Sequence, residues 1–183
     1  MKIFITILFL VAAGLANGFE LKGPHAIVLS NAQGERIVIG TVAFTPTGDG
    51  RFGFAVTMDD RLEEYFLAMR PFRCITGPQQ RLCHFPVERE PPVIARDDLV
   101  PLEYALMFMR TPPNSLHVNP FNGVYYKLAL TDKGIEGRLN EVDMDPFITP
   151  DSVPVERRRR PIRPQDLSPG DDGSHWLPRL TIE

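Results

Sequence analysis

The only two cysteines of the chain lie in RCITGPQQRLCHF, residues 73–85, with His84 directly after the second. Two thiols and an imidazole so close together have three chemical readings: a disulfide, a redox pair or part of a metal site. A redox pair usually sits as Cys-x-x-Cys at a helix start, and zinc ligands usually come two to four residues apart with a second pair elsewhere. Here eight residues separate Cys74 from Cys83, and His25, His117 and His175 are scattered without ligand spacing. The intervening Gly77-Pro78-Gln79-Gln80 reads as a turn, because proline presets φ at its second position. That register sets Ile75 opposite Leu82 and Cys74 opposite Cys83. Opposed β-carbons in a ladder lie about 4.5–5.5 Å apart, close to disulfide geometry. The pair therefore predicts a strand-to-strand disulfide, with His84 a partly buried strand residue rather than an acid or base.

Carboxylates form two groups. Asp59, Asp60, Glu63 and Glu64 offer paired acids for glycosidic chemistry, which needs a defined separation across a cleft; a charged turn is the simpler reading. Glu141, Asp143 and Asp145 alternate and could collect a hard cation such as calcium. Alternating strand acids more commonly form a solvated face, and Pro146 ends the run. The sequence carries no Gly-x-Ser-x-Gly elbow, His-Glu-x-x-His, P-loop or dinucleotide glycine fingerprint. No residue is assigned a catalytic or metal-binding role on these patterns, and no cofactor is expected.

Two features suit binding instead. In NPFNGVYYKL, residues 119–128, Asn119-Pro120 and Asn122-Gly123 are turn dipeptides leading into a strand. Asn119, Phe121, Asn122, Tyr125 and Tyr126 form the first candidate patch, since tyrosine beside asparagine at a barrel mouth suits an amphipathic ligand or a partner surface. The second is ERRRRPIRP, residues 156–164. Arg157, Arg158, Arg159, Arg160 and Arg163 make a locally positive stretch able to contact anionic lipid or another envelope polyanion. Pro161 and Pro164 add a P-x-x-P spacing. A solvated linker paired with the protein's own acids is the plainer alternative.

The compartment is read from MKIFITILFLVAAGLANGFE, residues 1–20. One lysine, an uncharged run from Ile3 to Leu15 and small residues at Ala16 and Gly18 match a removable secretory signal over residues 1–18. The apolar run is shorter than the roughly 20 residues a membrane span needs, and no cysteine follows it for lipid attachment. The protein is expected to be periplasmic or secreted, where two cysteines tend to pair. Its 20 basic and 23 acidic residues give a net charge of −3 at pH 7, one unit more negative once Lys2 is removed. That balance argues against a nucleic-acid partner, and no later segment is apolar enough for a transmembrane helix.

Periodicity supplies the elements that must position these groups. Residues 24–30 and 36–45 are β-branched runs divided by NAQGE, and Phe52, Phe54, Val56 and Met58 alternate as a half-buried strand. Residues 65–75 read as one further strand with Pro71 marking an edge or bulge, followed by the cysteine hairpin. A proline-interrupted link, EREPPVIARDD, leads to a helix near 98–110, started by Asp97 or Asp98 and Pro101 and faced by Leu99, Leu102, Leu106 and Met109. LEYALMFM also alternates, so a strand is the second reading there. Val124, Tyr126, Leu128 and Leu130 begin a clear hairpin that turns at Asp132-Lys133-Gly134. Residues 146–174, rich in Pro, Arg, Asp and Gly, read as a loop or disordered tether, and residues 175–183 as a C-terminal strand docking on the body.

The fold expected is mainly β: a single antiparallel barrel, or a sandwich, of about seven to eight strands over residues 19–145 with one short helix and a Pro/Arg-rich C-terminal tether. The function expected is an exported, non-catalytic, disulfide-stapled protein that binds a small amphipathic ligand or a cell-envelope partner. Two other functions stay open: an envelope-directed hydrolase using the acidic cluster and His84, and an assembly protein acting through its arginine tether.

Overall fold

A computed structural model describes residues 18–67, 70–87, 91–115, 119, 121–144, 161–171 and 173–183. The polypeptide forms β1 (Gly23–Ser30), β2 (Arg36–Pro46), β3 (Arg51–Met58), β4 (Glu63–Leu67), β5 (Arg70–Thr76), β6 (Arg81–His84) and β7 (Val93–Ala95). Helix α1 (Val100–Ala105) is followed by β8 (Phe108–Thr111), β9 (Gly123–Thr131), β10 (Gly134–Val142), β11 (Leu167–Pro169) and β12 (Arg179–Ile182). All strands join one antiparallel sheet in the order β4-β5-β6-β8-β9-β10-β12-β1-β2-β3-β7, with β11 beside β12 on the same edge of β10.

Among the described residues the mainly β class and the single short α-helix follow the sequence pattern, but the sheet has twelve strands rather than seven or eight, and it is not a closed barrel. Its two ends, β4 and β7, do not pair. Four differences account for the strand count: β8 follows the shortened helix, β11 pairs with the end of β10, and two more arise earlier in the chain. The run 65–75 is two strands, β4 pairing with β5 from Glu63↔Cys74 to Leu67↔Arg70; Ala68-Met69 carries none of the glycine or asparagine that marks a tight turn. The proline-rich link also contributes β7, which pairs with Arg51–Gly53. Pro71 lies in β5 opposite Phe66 of the edge strand.

The helix ends at Ala105, and the second, alternating reading of LEYALMFM holds for its last part. Asp98 Oδ1 accepts the Val100 N–H at 3.1 Å at the helix start. Leu102 and Leu106, four residues apart, enter one core. From Phe108 the chain is extended, because β6 offers it a complete ladder from Arg81↔Thr111 to His84↔Phe108. Met109 thus lies on a strand and not on the helix.

Side chains alternate between two cores on the two faces of the sheet. On β9, Val124, Tyr126 and Leu128 enter the main core with Ile27, Leu29, Ile39 and Phe108, while Tyr125 enters the second with Phe72, Phe85, Met107 and Met109. Close packing fixes particular positions. A β-carbon on Gly40 would stand 2.3 Å from the Thr57 carbonyl oxygen, and one on Gly77 would stand 2.5 Å from the Trp176 ring.

Cys74 and Cys83 are directly paired across β5 and β6, with Ile75 opposite Leu82, and form a disulfide with their Cα atoms 4.1 Å apart. The Gly77 N–H donates to the Gln80 carbonyl at 2.8 Å and closes the turn. Of residues 146–174, expected to be a tether, 146–160 and 172 lie outside the description. From Pro161 onward the chain packs: the Ile162 N–H donates to the Tyr104 hydroxyl at 2.5 Å, and β11 pairs with Asn140–Val142. β12 lies inside the sheet, between β10 and β1.

One buried carboxylate deals with the open edge of β9. β8 pairs with β9 only at Val124 and Gly123, which leaves the edge beyond Val124 without a strand partner on that side among the described residues. Glu103 of α1, fully buried, fills this place. It accepts the Leu128 N–H at 2.8 Å, lies 3.0 Å from Lys127 Nζ and accepts the Tyr125 hydroxyl.

Two outcomes are expected of stability measurements. Glu103→Ala, which orphans the Leu128 N–H and removes an acceptor from the Tyr125 O–H, should lower unfolding free energy by about 2–5 kcal/mol, and Glu103→Gln by clearly less; equal losses in denaturant titrations would contradict the acceptor role. Replacing both cysteines by serine should cost roughly 2–3 kcal/mol, the chain-entropy value for a loop of about ten residues. An unchanged denaturation midpoint in the double variant would show that the staple contributes nothing.

Candidate functional site

Polar side chains from widely separated parts of the chain meet at one end of the sheet. Arg110 of β8 lies opposite Leu82 of β6, and Phe108, two residues earlier on the same strand face, lies opposite Val124 of β9. Glu141 of β10 is also opposite Val124. Arg110 and Glu141 therefore occupy the face that elsewhere carries the main core. The segment between β11 and β12 adds His175. Glu141 Oε1 accepts from Arg110 Nη2 at 2.6 Å and lies 3.2 Å from His175 Nε2. The His175 side chain is only 1 % exposed, against 40 % for Glu141.

His175 Nδ1 and Arg110 Nε are buried without a hydrogen-bond partner among the described residues. Burial first, and then the positive charge of Arg110, hold the imidazole below its ordinary pKa, against the opposing pull of Glu141 and Asp171. In the neutral ring Nε2–H donates to Glu141, and Nδ1 is a bare acceptor.

Beside this triad Gln79, Gln80, Arg110, Thr111, Pro112 and Asn122 line a depression of about 190 Å³. Sites that enclose drug-sized ligands measure about 300–1,000 Å³, so this basin admits a small group or the end of a longer molecule. Gln80 is fixed by two bonds, donating to the Ser174 carbonyl at 3.0 Å and accepting the Trp176 N–H at 3.1 Å. The Arg110 N–H donates to the Asn122 carbonyl at 2.9 Å and holds the neighbouring loop to β8. Within that loop Asn119 Oδ1 accepts the Phe121 N–H at 3.0 Å, and the Asn122 N–H donates to the Asn119 carbonyl at 3.0 Å. The turn presents Phe121 to solvent, 62 % exposed. Wider grooves of about 290 and 390 Å³ lie elsewhere and include none of these residues.

The structure divides the aromatic patch read from sequence. Asn119, Phe121 and Asn122 stand together at the rim. Tyr125 and Tyr126, being consecutive on a strand, point to opposite faces. Tyr126 is fully buried, its hydroxyl donates to the Leu177 carbonyl at 2.8 Å, and burial pushes that hydroxyl well above its ordinary pKa. Tyr125 is held by Glu103. Of the arginine run, Arg157, Arg158, Arg159 and Arg160 lie outside the described residues. Arg163 is exposed, and its guanidinium lies 3.7 Å from Asp166 within the same turn.

The acidic cluster is engaged locally. Asp59 is bound by Arg61 at 2.5 Å, whose hydrogen bonds hold the carboxyl at about 2. Glu63 accepts from the Tyr65 and Thr76 hydroxyls at 2.9 and 3.0 Å, and Asp60 and Glu64 lie 3.7 and 3.3 Å from Arg73. His84 Nε2 is 2.8 Å from the Ala105 carbonyl, and its ring tilts against Phe108. Burial lowers its pKa, outweighing that bond. Of the alternating acids, Glu141 turns inward to Arg110 and His175, Asp143 is exposed and Asp145 lies outside the described residues. Arg110 and His175 carried no sequence signal, because β8, β10 and the approach to β12 meet only through the sheet.

Comparison with protein-family models, curated proteins and solved structures gives no match to the chain.

Buried His175 and partly buried His84 set a pH dependence. Their folded pKa values lie below the roughly 6.5 of a solvated imidazole, so the unfolded chain takes up protons first as pH falls. Stability is then complete above about pH 6.5 and declines below it, by at most about 1.4 kcal/mol per pH unit for each histidine. Thermal melting should give a lower Tm at pH 5.5 than at pH 7.5, with a smaller difference in His84→Gln. An undiminished difference would exclude His84 as a contributor.

Proposed function

We propose that the protein is exported and non-catalytic, and that the rim at Phe121 and Asn122 with the basin floored by Arg110 binds a small amphipathic ligand. The single observation that carries this reading is the exposed Phe121 ring beside a polar depression lined by planar amide groups and a guanidinium. An aromatic face takes the apolar side of a ligand while Asn122, Gln79 and Thr111 serve its polar groups. Because Glu141 already neutralises Arg110, a ligand rich in hydroxyls suits the basin better than a strong anion. The engagement of Asp59, Asp60, Glu63 and Glu64 with their own neighbours favours binding over hydrolysis. Export is supported by the leader-like residues 1–18 and by the disulfide, a bond that persists in oxidising compartments. Among the described residues no helix is long and apolar enough to cross a membrane.

The test is an amide NMR titration with octyl glucoside below its micelle concentration, a probe with one polar and one apolar end. Shifts are expected at Gln79, Gln80, Arg110 and residues 119–122, and Phe121→Ala should weaken binding at least about fivefold, the worth of roughly 1 kcal/mol. Val38→Ala, at the other large exposed hydrophobic among the described residues, should leave it unchanged. Shifts confined to other residues, or equal binding by Phe121→Ala, would refute the assignment.

A further inference from the structure

Residues 173–176 cross the end of the sheet next to the basin, turned by bonds to Asp171, with the Trp176 ring against the main core and few polar bonds to other elements. Gln80 holds the Ser174 carbonyl and the Trp176 N–H; Trp176 Nε1 donates to Glu35 Oε2 at 2.8 Å; His175 is held by Glu141. Of the groups on this segment, only His175 has an ordinary pKa between pH 5 and 8. The charged groups facing it are Glu141 from β10, Arg110 from β8 and Asp171 from its own segment. Gly170 lies close to the ring, since a β-carbon there would stand 3.1 Å from His175 Cδ2.

We propose that residues 173–176 form an acid-released latch: docked while the His175 ring is neutral, and freed from the sheet when the ring gains a proton. A proton on Nδ1 places an N–H in a buried position where no acceptor stands among the described residues. It also sets a second cation beside Arg110, both competing for the Glu141 carboxylate. Turning the ring out to water satisfies the N–H and leaves Glu141 to Arg110. The docked segment binds fewer protons than the freed one. The opening equilibrium therefore rises as pH falls below about 6.5, by up to tenfold per pH unit, and levels off below the docked pKa. Release uncovers Arg110 and Glu141 at the basin, whatever the basin binds.

Trp176 is the only tryptophan of the chain, so its emission reports the latch directly. In the full chain without ligand, lowering pH from 7.5 to 5.0 should shift the emission to longer wavelength and increase quenching by acrylamide. The amide protection factor of Trp176 should fall by up to about tenfold per pH unit, while amides in the β1–β2 ladder stay protected. The response should persist in Glu35→Gln, which keeps an acceptor for the indole but does not titrate, and vanish in His175→Gln. An equal response in His175→Gln, or none in the natural chain, would overturn the latch. Should His175→Gln fail to fold, NMR titration of the His175 ring in the natural chain decides. Protonation with Trp176 still protected would refute the proposal, and parallel loss would support it.

Discussion

The carboxylate of Glu103 meets a demand that the sheet cannot meet with strands. A long strand such as β9 presents backbone N–H groups on both edges, and in a buried setting each needs an acceptor. β8 covers only the beginning of one edge, so α1 is set against the remainder and offers a side-chain oxygen where a carbonyl would otherwise be. A buried charge is tolerable here because an ammonium, a phenol and a backbone amide converge on it. The position of α1 then fixes much else. Leu102 and Leu106 belong to the main core and Tyr104 to the second, so one short helix ties together the two faces of the sheet and brings β7 towards β9.

The polar end of the sheet breaks the alternation that builds the rest. Arg110 and Glu141 stand on the face that Phe108, Val124 and Leu139 fill with hydrocarbon. Such residues are kept out of an apolar layer unless each has a partner, and here a single carboxylate serves both an arginine and a histidine. The consequence is a shallow polar basin at the margin of a packed interior, next to a loop whose Asx turn turns an aromatic ring outward. Local conflict with the binary pattern and concentration of hydrogen-bonding groups thus coincide at one place, where the fold departs from its own packing rules.

Much of the local structure was legible in the sequence and little of its assembly. The cysteine register could be read because a proline turn fixes which residues face each other, and the β9–β10 hairpin because the alternation is uninterrupted. The division of residues 65–75 into two strands was hidden, since Ala68-Met69 has no turn chemistry. The end of the helix was hidden too, because the pairing of β8 with β6 is a long-range choice that outweighs local spacing. At the candidate site Asn119, Phe121 and Asn122 were visible as a turn bearing an aromatic ring. Tyr126 resembled them in type, and only the strand register reveals it as core. Arg110 and His175 lie 65 positions apart along the chain, and nothing in their own neighbourhoods announces that Glu141 joins them.

The place of β12 has a consequence for how the molecule comes into being. It separates β10 from β1, pairing Leu180 with Leu29 on one side and with Gly137 on the other. The β1–β2–β3 ladder and the β9–β10 hairpin can each form by nearby contacts, but neither can join the other until residues 179–182 are present to bridge them. Sheets closed by such distant pairings assemble slowly and late. Until that pairing is made, the facing edges of β1 and β10 share no ladder, although the main core draws apolar side chains from both. Four residues, Arg179–Ile182, thus carry the whole hydrogen-bonded seam between two ladders far longer than themselves.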